Sequence, residues 1–180
     1  MLTPEFKKRL GRSHTFVAAV WAALFASCAV AALVPSDFFE HIPVRDNYPY
    51  LLGLENLIWG LAIVTAVLLL WSRPRFYSVA AVFEATERPL VVDGIGESPE
   101  EKVASRLVYF YRSKMLRALA LAESVAFYGL FLAVIEPDDY EWRLFCATAA
   151  ALLVLFYPSR TFFDELMKEY ERRETMREWR

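Results

Sequence analysis

The chain has 180 residues, of which 57% are hydrophobic and 23% charged, and its formal net charge is −2. The apolar fraction exceeds the ~45–50% of ordinary soluble domains, and the charge balance gives no basic surface for nucleic acid. Cys28 and Cys146 are too far apart for a CxxC pair and too few for a disulfide framework. A disordered chain, a nucleic-acid-binding protein and a secreted disulfide scaffold are therefore excluded.

Four long apolar runs predict four transmembrane helices. A helix needs about 20 residues to cross a hydrocarbon core of ~30 Å, and the first two runs lack the polar faces of a soluble bundle. Prolines stand just outside the runs, as expected at helix ends. The predicted spans cover residues 15–34, 51–71, 115–135 and 142–157, and the prolines are Pro35, Pro49, Pro74, Pro137 and Pro158. The predicted fold class is all-α, a polytopic membrane protein with one four-helix domain over residues 1–180.

The distribution of lysine and arginine predicts the orientation of these spans. Of the 20 basic residues, 17 lie in the N-terminal segment, the middle loop at 72–114 and the tail at 158–180. The other side holds only Arg45 and Arg143. Both termini and the middle loop are therefore expected in the cytoplasm. The first run is longer than the ~7–15-residue core of a signal peptide, so we expect a retained helix.

The middle loop divides into two parts. Residues 75–93 mix the strand and helix periods and receive no assignment, and the Gly-x-Gly segment at 94–96 predicts a turn. Ser98 as N-cap and Glu101 three residues later mark a strong helix start, and no breaker follows before Ile135. At 1.5 Å per residue this helix is about 55 Å long, more than one bilayer needs. Its predicted apolar stripe before the third span is Val103, Leu107, Phe110 and Tyr111.

The tail at 158–180 predicts an amphipathic helix. Thr161 and Asp164 are its predicted capping pair, and Asp164/Lys168 and Glu169/Arg173 are i,i+4 ion pairs on the polar side. Two interpretations stay open: the helix lies on the inner membrane surface, or it folds against the rest of the chain. The apolar face consists of Phe162, Phe163, Leu166, Met167 and Tyr170.

Glu123 is the most informative residue, because it lies about 12 Å into the third span. A carboxylate at that depth is costly unless it is protonated, paired or facing a polar interior. Counting from the ends of the apolar runs places Trp21, Thr65 and Thr148 at a similar depth, and none of them is charged. The simplest state is a protonated, hydrogen-bonded Glu123. It serves either as a proton or cation site or as a polar clamp between helices.

Two further polar groups mark the ends of the spans. Glu55 and Arg143 both lie near the outer surface and are predicted to form a rim salt bridge, worth about 0–1 kcal/mol if exposed. At the inner end, Arg112, Lys114 and Arg117 form a basic collar that fits helix anchoring or lipid headgroups. In the first span a small-residue stripe permits close helix approach, within the chain or between copies. The stripe consists of Ala19, Ala23, Ser27 and Ala31.

No catalytic or cofactor motif is recognisable in the sequence. The glycines at 94–96 lack the remainder of a dinucleotide fingerprint and of a P-loop, and neither HExxH nor GxSxG occurs. His14 and His41 are expected on opposite sides of the membrane, which leaves no histidine cluster. Cys28 and Cys146 are expected to be buried thiols. We therefore expect no enzyme activity, no cofactor and no metal.

Residues 115–134 (MLRALALAESVAFYGLFLAV) resemble the carboxylate-bearing helix of ATP synthase c subunits. The shared features are a basic lead-in, Ala-Leu-Ala, a glutamate and then Tyr-Gly-Leu. In that family the glutamate carries the translocated proton, and the resemblance implies this role for Glu123. The other helix of that family is glycine-rich, and none of the four spans here is.

A broader segment, 114–166, resembles a group of small bacterial four-helix membrane proteins of unassigned function. The likeness rests on the Ala/Leu-rich third span, a short outer loop, and Pro158 followed by a hydroxyl, a basic residue and an acidic amphipathic helix. It implies a bacterial inner-membrane protein and no particular activity. The leading hypothesis is a structural, assembly or accessory subunit in contact with the bilayer and with itself or other membrane subunits. The alternative is a proton- or cation-linked transport component using Glu123.

Overall fold

The computed structural model describes residues 3–34, 54–87, 98–135 and 139–178, and helices are the only regular elements in these ranges. This confirms the all-α prediction. Outside the described residues lie the first predicted outer loop, residues 136–138 of the second, the 94–96 turn and the first residues of the second span; residues 139–141 of the second outer loop are helical instead. The helices are α1 (Pro4–Ala31), α2 (Glu55–Phe76), α3 (Val79–Glu87), α4 (Pro99–Ile135), α5 (Asp139–Leu155) and α6 (Arg160–Glu178).

Four helical stretches in the described ranges are long and apolar enough to cross a membrane. They are α1, α2, α4 and a stretch, Tyr140–Met176, that contains α5. In the apolar window of α4, 50% of the residues are buried within the chain, against 11% in α1 and 17% in α2. α4 is thus the helix around which others pack, and most of the apolar surface of α1 and α2 remains outside the chain's own core.

α4 begins and ends where the sequence predicts. The backbone N–H of Glu101 donates to Ser98 Oγ at 3.1 Å, which is the expected N-cap bond. The helix then continues for 37 residues to Ile135. Its apolar stripe before the third span agrees with the prediction at Leu107 and Tyr111, which are buried. Val103 is exposed and Phe110 half-buried, so the stripe passes through other residues at those levels. The buried positions are Ala104, Leu107, Val108, Tyr111 and Met115.

Two helix ends differ from the prediction. α1 begins at Pro4, well before the apolar run, since its first turns carry Phe6 and Leu10 into a buried core of their own. α2 runs through Pro74 to Phe76, although the sequence predicts that this proline lies outside the helix. A proline in the last turn removes only one backbone hydrogen bond near an end that frays anyway, so the helix tolerates it.

The tail helix starts at a different cap from the one predicted. The N–H of Phe162 donates to Ser159 Oγ at 3.5 Å, and the N–H of Phe163 donates to the Ser159 carbonyl at 3.3 Å. Thr161 is therefore inside the first turn and not the cap. The reason is packing: Phe162 and Phe163 are both buried, and the helix must begin before them to direct the two rings to the same core.

The unassigned segment 75–93 contains α3. Ser78 caps it, because Ser78 Oγ accepts a hydrogen bond from the N–H of Ala81 at 3.3 Å. Val82 and Phe83 are buried. The guanidinium of Arg173, on α6, lies 4.2 Å from the centre of the Phe83 ring. α3 is thus held in place by a contact with the tail helix.

The chain forms two compact units. Unit 1 contains Met1–Val20, Arg73–Arg117 and Pro158–Arg180, and unit 2 contains Trp21–Ser72 and Ala118–Tyr157. α1, α2 and α4 contribute residues to both.

Unit 1 is built around rings from α1, α4 and α6. His14 stacks 6.4 Å from Tyr111 and lies 5.3 Å from Phe163, measured between ring centres. The Nε2–H of His14 donates to the Pro158 carbonyl at 3.1 Å. The apolar face of α6 is buried in this cluster, except that Met167 is only half-buried. Of the two interpretations left open for the tail, the helix folded against its own chain is the one that the structure adopts.

Unit 2 packs α4 closely against α5. Gly129 is buried on α4, and a side chain there would overlap Phe145 of α5. Trp59 from α2 covers Phe145, with ring centres 4.4 Å apart. The indole N–H of Trp21, on α1, donates to the Leu153 carbonyl at 2.7 Å. An indole buried in an apolar region needs such a partner, and this bond attaches α1 to α5.

Candidate functional site

Glu123 lies on α4 in unit 2 and is half-buried. Ser27 Oγ, on α1, is 3.4 Å from Glu123 Oε1, which is long for an O–H···O bond. The same hydroxyl lies 2.8 Å from the Leu24 carbonyl. Because a serine has one hydroxyl proton, Ser27 donates mainly to the Leu24 carbonyl, which is the closer acceptor. The carboxyl group is therefore weakly partnered by the described residues.

The Glu123 carboxyl group lines a cleft between α1, α4 and α5 in unit 2. We name it the Glu123 cleft; its volume is about 160 Å³, room for about five water molecules or one apolar side chain. Apart from the carboxyl group and the Ser27 hydroxyl, its walls are largely apolar. The lining residues are Ser27, Cys28, Ala31, Glu123, Ala126, Phe127, Leu130 and Trp142.

Two of the three predicted companions of Glu123 form hydrogen bonds elsewhere. Trp21 donates to the Leu153 carbonyl, and Thr148 Oγ1 donates to the Leu144 carbonyl at 2.8 Å. Thr65 is half-buried on α2. The polar neighbour that the structure brings to Glu123 is Ser27, which the sequence places only in the small-residue stripe.

The depth estimate explains this difference. Ser27 is 96 residues before Glu123, and in unit 1 Phe16 contacts Arg112 across the same sequence separation. Counting from the ends of the apolar runs places Trp21, and not Ser27, at the depth of Glu123. The two residues are six positions apart on α1. At 1.5 Å per residue the error is about 9 Å. The ends of the apolar runs are therefore poor markers of a common level.

The small-residue stripe of α1 is not covered by the chain itself. Ala19, Ala23 and Ser27 are exposed, and Ala31 is half-buried. The stripe therefore does not serve helix packing within this chain, which was one of the two alternatives. Ser27 and Ala31 line the Glu123 cleft from α1. Ala23 lies one turn before Ser27 on the same side of the helix.

The predicted rim pair has its two members in unit 2. Glu55 is the first residue of α2 and is half-buried, and Arg143 is exposed in the first turns of α5. A carboxylate in the first turn of a helix is favoured by the helix dipole whatever its partner. The ion pair between the two stays a prediction.

The predicted headgroup residues divide into two groups. Lys114 Nζ donates to the Arg75 carbonyl at 2.7 Å and lies 4.9 Å from the Phe76 ring centre. Its ammonium group therefore binds the C-terminal turn of α2, where the helix dipole favours a positive charge. Arg112 and Arg117 are exposed, and the Arg112 guanidinium lies 4.2 Å above the Phe16 ring. These two arginines remain candidates for headgroup contact.

No group of three His, Cys, Asp or Glu side chains suited to a metal ion occurs among the described residues. Comparison with known proteins finds no matching family model, no similar curated protein and no similar solved structure. The features of the chain that bear on function are the chemistry of the Glu123 cleft, the exposed helix faces and the charge distribution.

Proposed function

We propose that this chain is a multi-pass protein of the bacterial inner membrane that acts as a non-catalytic structural, assembly or accessory subunit. The excess of lysine and arginine in the N-terminal segment, middle loop and tail supports a cytoplasmic location for all three. The resemblance of residues 114–166 to small bacterial four-helix membrane proteins supports a bacterial inner membrane as the location. The proposed partners are lipid, other membrane subunits or further copies of the chain.

The observation that carries this proposal is the half-buried, weakly partnered carboxyl group of Glu123 beside an exposed small-residue surface. Inside a membrane a carboxyl group without a good hydrogen bond is costly. Ala23 and Ser27 let a neighbouring helix approach closely. A transmembrane helix of another subunit, with a hydrogen-bond donor at this level, satisfies both features. We propose that such a helix docks at the Glu123 cleft.

Purification from native membranes in a mild detergent tests the docking proposal. The wild-type protein is expected to be recovered in a complex with stoichiometric partners, identified by mass spectrometry and sized by light scattering. Glu123→Gln keeps a hydrogen-bonding side chain and should retain the complex. Glu123→Ala and Ala23→Phe should lose it. Recovery of the wild-type chain as a lone monomer would contradict the proposal.

A matched control separates docking from misfolding. Ala147 is exposed on α5 and does not line the Glu123 cleft. Ala147→Phe adds the same bulk as Ala23→Phe and should leave the complex intact. Each variant must elute from size exclusion as a folded, monodisperse species. If Ala147→Phe disrupts the complex as much as Ala23→Phe, the docking face is not the Glu123 cleft.

A second candidate function is proton- or cation-linked transport through Glu123. It is favoured by the same carboxyl group lining an open cleft, and by the resemblance of residues 115–134 to the c-subunit helix. Proteoliposomes with a trapped pH-sensitive dye provide the test. Transport predicts proton flux in the wild type that Glu123→Gln abolishes and Glu123→Asp retains in part. Equal flux in wild type and Glu123→Gln would reject transport through this residue.

A further inference from the structure

Seven basic residues of unit 1 lie where the apolar parts of the four membrane helices end. We name this group the basic belt. Six of its members are arginines with exposed side chains, and the seventh is the half-buried lysine that contacts the end of α2. The basic belt consists of Arg12, Arg73, Arg75, Arg112, Lys114, Arg117 and Arg160.

Three contacts bring the chain segments of the basic belt together. The His14 ring donates to the Pro158 carbonyl, which joins the Arg12 segment to the Arg160 segment. The Arg112 guanidinium lies on the Phe16 ring, which joins α1 to α4. Lys114 donates to the backbone of Arg75, which joins α4 to α2. All four segments of the basic belt therefore contribute positive charge at neighbouring positions.

No acidic residue lies within the segments that form the basic belt. Residues 6–20, 73–83, 102–117 and 158–163 contain neither aspartate nor glutamate. Tyr77 adds no negative charge, since burial raises its pKa above the ordinary value although Arg73 opposes the shift. These segments therefore carry only positive formal charges, whereas on α6 Glu169 pairs with Arg172 and Arg173.

Arg112, the first belt residue of α4, contacts an aromatic ring while its N–H groups stay accessible. Arg112 is exposed and stacks on Phe16, whose ring is itself 45% exposed. A guanidinium on an exposed aromatic ring suits the boundary between hydrocarbon and headgroups, where the ring contacts acyl chains. The guanidinium fork is the geometry that recognises phosphate oxygens in a bidentate manner.

We propose that the basic belt is a binding site for the phosphate headgroups of anionic phospholipids. The position of the basic belt agrees with this ligand, because the apolar part of each membrane helix begins or ends next to it. Zwitterionic lipids carry a compensating positive charge, so an array of arginines prefers anionic ones. This site is separate from the Glu123 cleft and does not depend on a partner subunit.

Lipid titration of the purified full-length protein in neutral detergent tests the basic belt. Binding of a phosphatidylglycerol probe is expected to exceed that of phosphatidylcholine and to weaken as salt is raised. The triple variant Arg73→Gln/Arg112→Gln/Arg117→Gln should lower affinity for phosphatidylglycerol by about tenfold or more, since each basic residue near an anionic headgroup contributes. Equal binding of the two lipids would overturn the proposal.

The matched control removes three charges from exposed positions of unit 1 outside the basic belt. Arg9→Gln/Lys102→Gln/Lys168→Gln has the same net charge as the belt variant and should change affinity less than about twofold. An equal loss in both triple variants would show a diffuse charge effect and overturn the assigned site. Displacement of the lipid by glycerol 3-phosphate would assign the site to a soluble phosphate and overturn the lipid assignment.

The lipid experiment is independent of the docking experiment. Glu123→Ala is expected to bind phosphatidylglycerol as the wild type does, whatever happens to its complex. The belt variant must keep the wild-type elution volume and thermal midpoint, so that a loss of lipid binding reports on headgroup contact.

Discussion

Gly129 determines how closely α4 and α5 approach in unit 2. A Cβ atom at this position would overlap the Cβ of Phe145 and lie 3.4 Å from the Trp142 carbonyl oxygen. Phe145 has no room to move, because Trp59 covers it and it is buried. The glycine is therefore required by the spacing of two helices and not by a turn.

Gly129→Ala is expected to lower the stability of the protein by about 1–3 kcal/mol, the usual effect of overpacking a filled core. Gly60 is the matched control, since nothing lies within 4 Å of a Cβ placed there. Gly60→Ala should raise stability by about 0.5–1 kcal/mol through helix propensity alone. Thermal unfolding in detergent measures both variants. A Gly129→Ala protein as stable as Gly60→Ala would show that α4 and α5 are farther apart than described.

At the scale of single residues, part of the candidate site follows from sequence. Glu123 is identifiable because a carboxyl group in an apolar run is conspicuous. Its neighbour Ser27 is not, because pairing requires the register between α1 and α4, which no local pattern encodes. The sequence likewise suggests that Lys114 faces lipid headgroups, whereas its ammonium group bonds to the end of α2. A long flexible side chain reaches whichever acceptor the fold brings near.

Helix starts show what element-scale patterns encode. The start of α4 is predictable because Ser98 and Glu101 satisfy the capping pattern and no competing hydroxyl is adjacent. The start of α6 is ambiguous, since Ser159 and Thr161 both precede the helical pattern. Burial of the rings at 162 and 163 decides between them, and that information belongs to the tertiary structure.

Ser159→Ala is expected to destabilise unit 1 by about 1 kcal/mol, because the first turn of α6 loses its N-cap. Thr161 is exposed inside the first turn, so Thr161→Ala should change stability by no more than about 0.5 kcal/mol. Hydrogen exchange at the amides of Phe162 and Phe163 reports the local effect. If Thr161→Ala speeds exchange more than Ser159→Ala does, the helix begins later than described.

α3 shows where element-scale prediction ends. Its nine residues are too few for a clear helical period, and a short helix is marginal by itself. The contacts that stabilise it come from α6, including the stacking of Arg173 on Phe83. A helix that depends on a partner far away in sequence leaves little signal in its own residues.

At the scale of the whole molecule, α6 connects the other parts of unit 1. The Tyr170 hydroxyl donates to the Glu100 carbonyl at 2.7 Å, which fastens α6 to the start of α4. Lys7 of α1 forms an ion pair with Glu171. Leu166, one turn before Tyr170 on α6, is fully buried. The tail is thus a structural part of the fold and not a free appendage.

Leu166→Ala is expected to destabilise unit 1 by about 2–5 kcal/mol, as for a fully buried leucine. Lys168 is exposed two residues away, and Lys168→Ala should be nearly neutral. Limited proteolysis in detergent should release the tail from the Leu166→Ala protein well before the membrane helices are cut. Equal resistance of the two variants would mean that α6 is held by something other than its apolar face.

The contacts between α1 and α6 also constrain the order of events during synthesis. α1 is translated early, whereas Pro158 and Glu171, which bind its His14 and Lys7, are translated after all four predicted spans. α1 must therefore enter the bilayer before its contacts with α6 exist. It can do so because a helix satisfies its own backbone hydrogen bonds. Completion of unit 1 is consequently a late step of biogenesis, because it waits for residues 158–171.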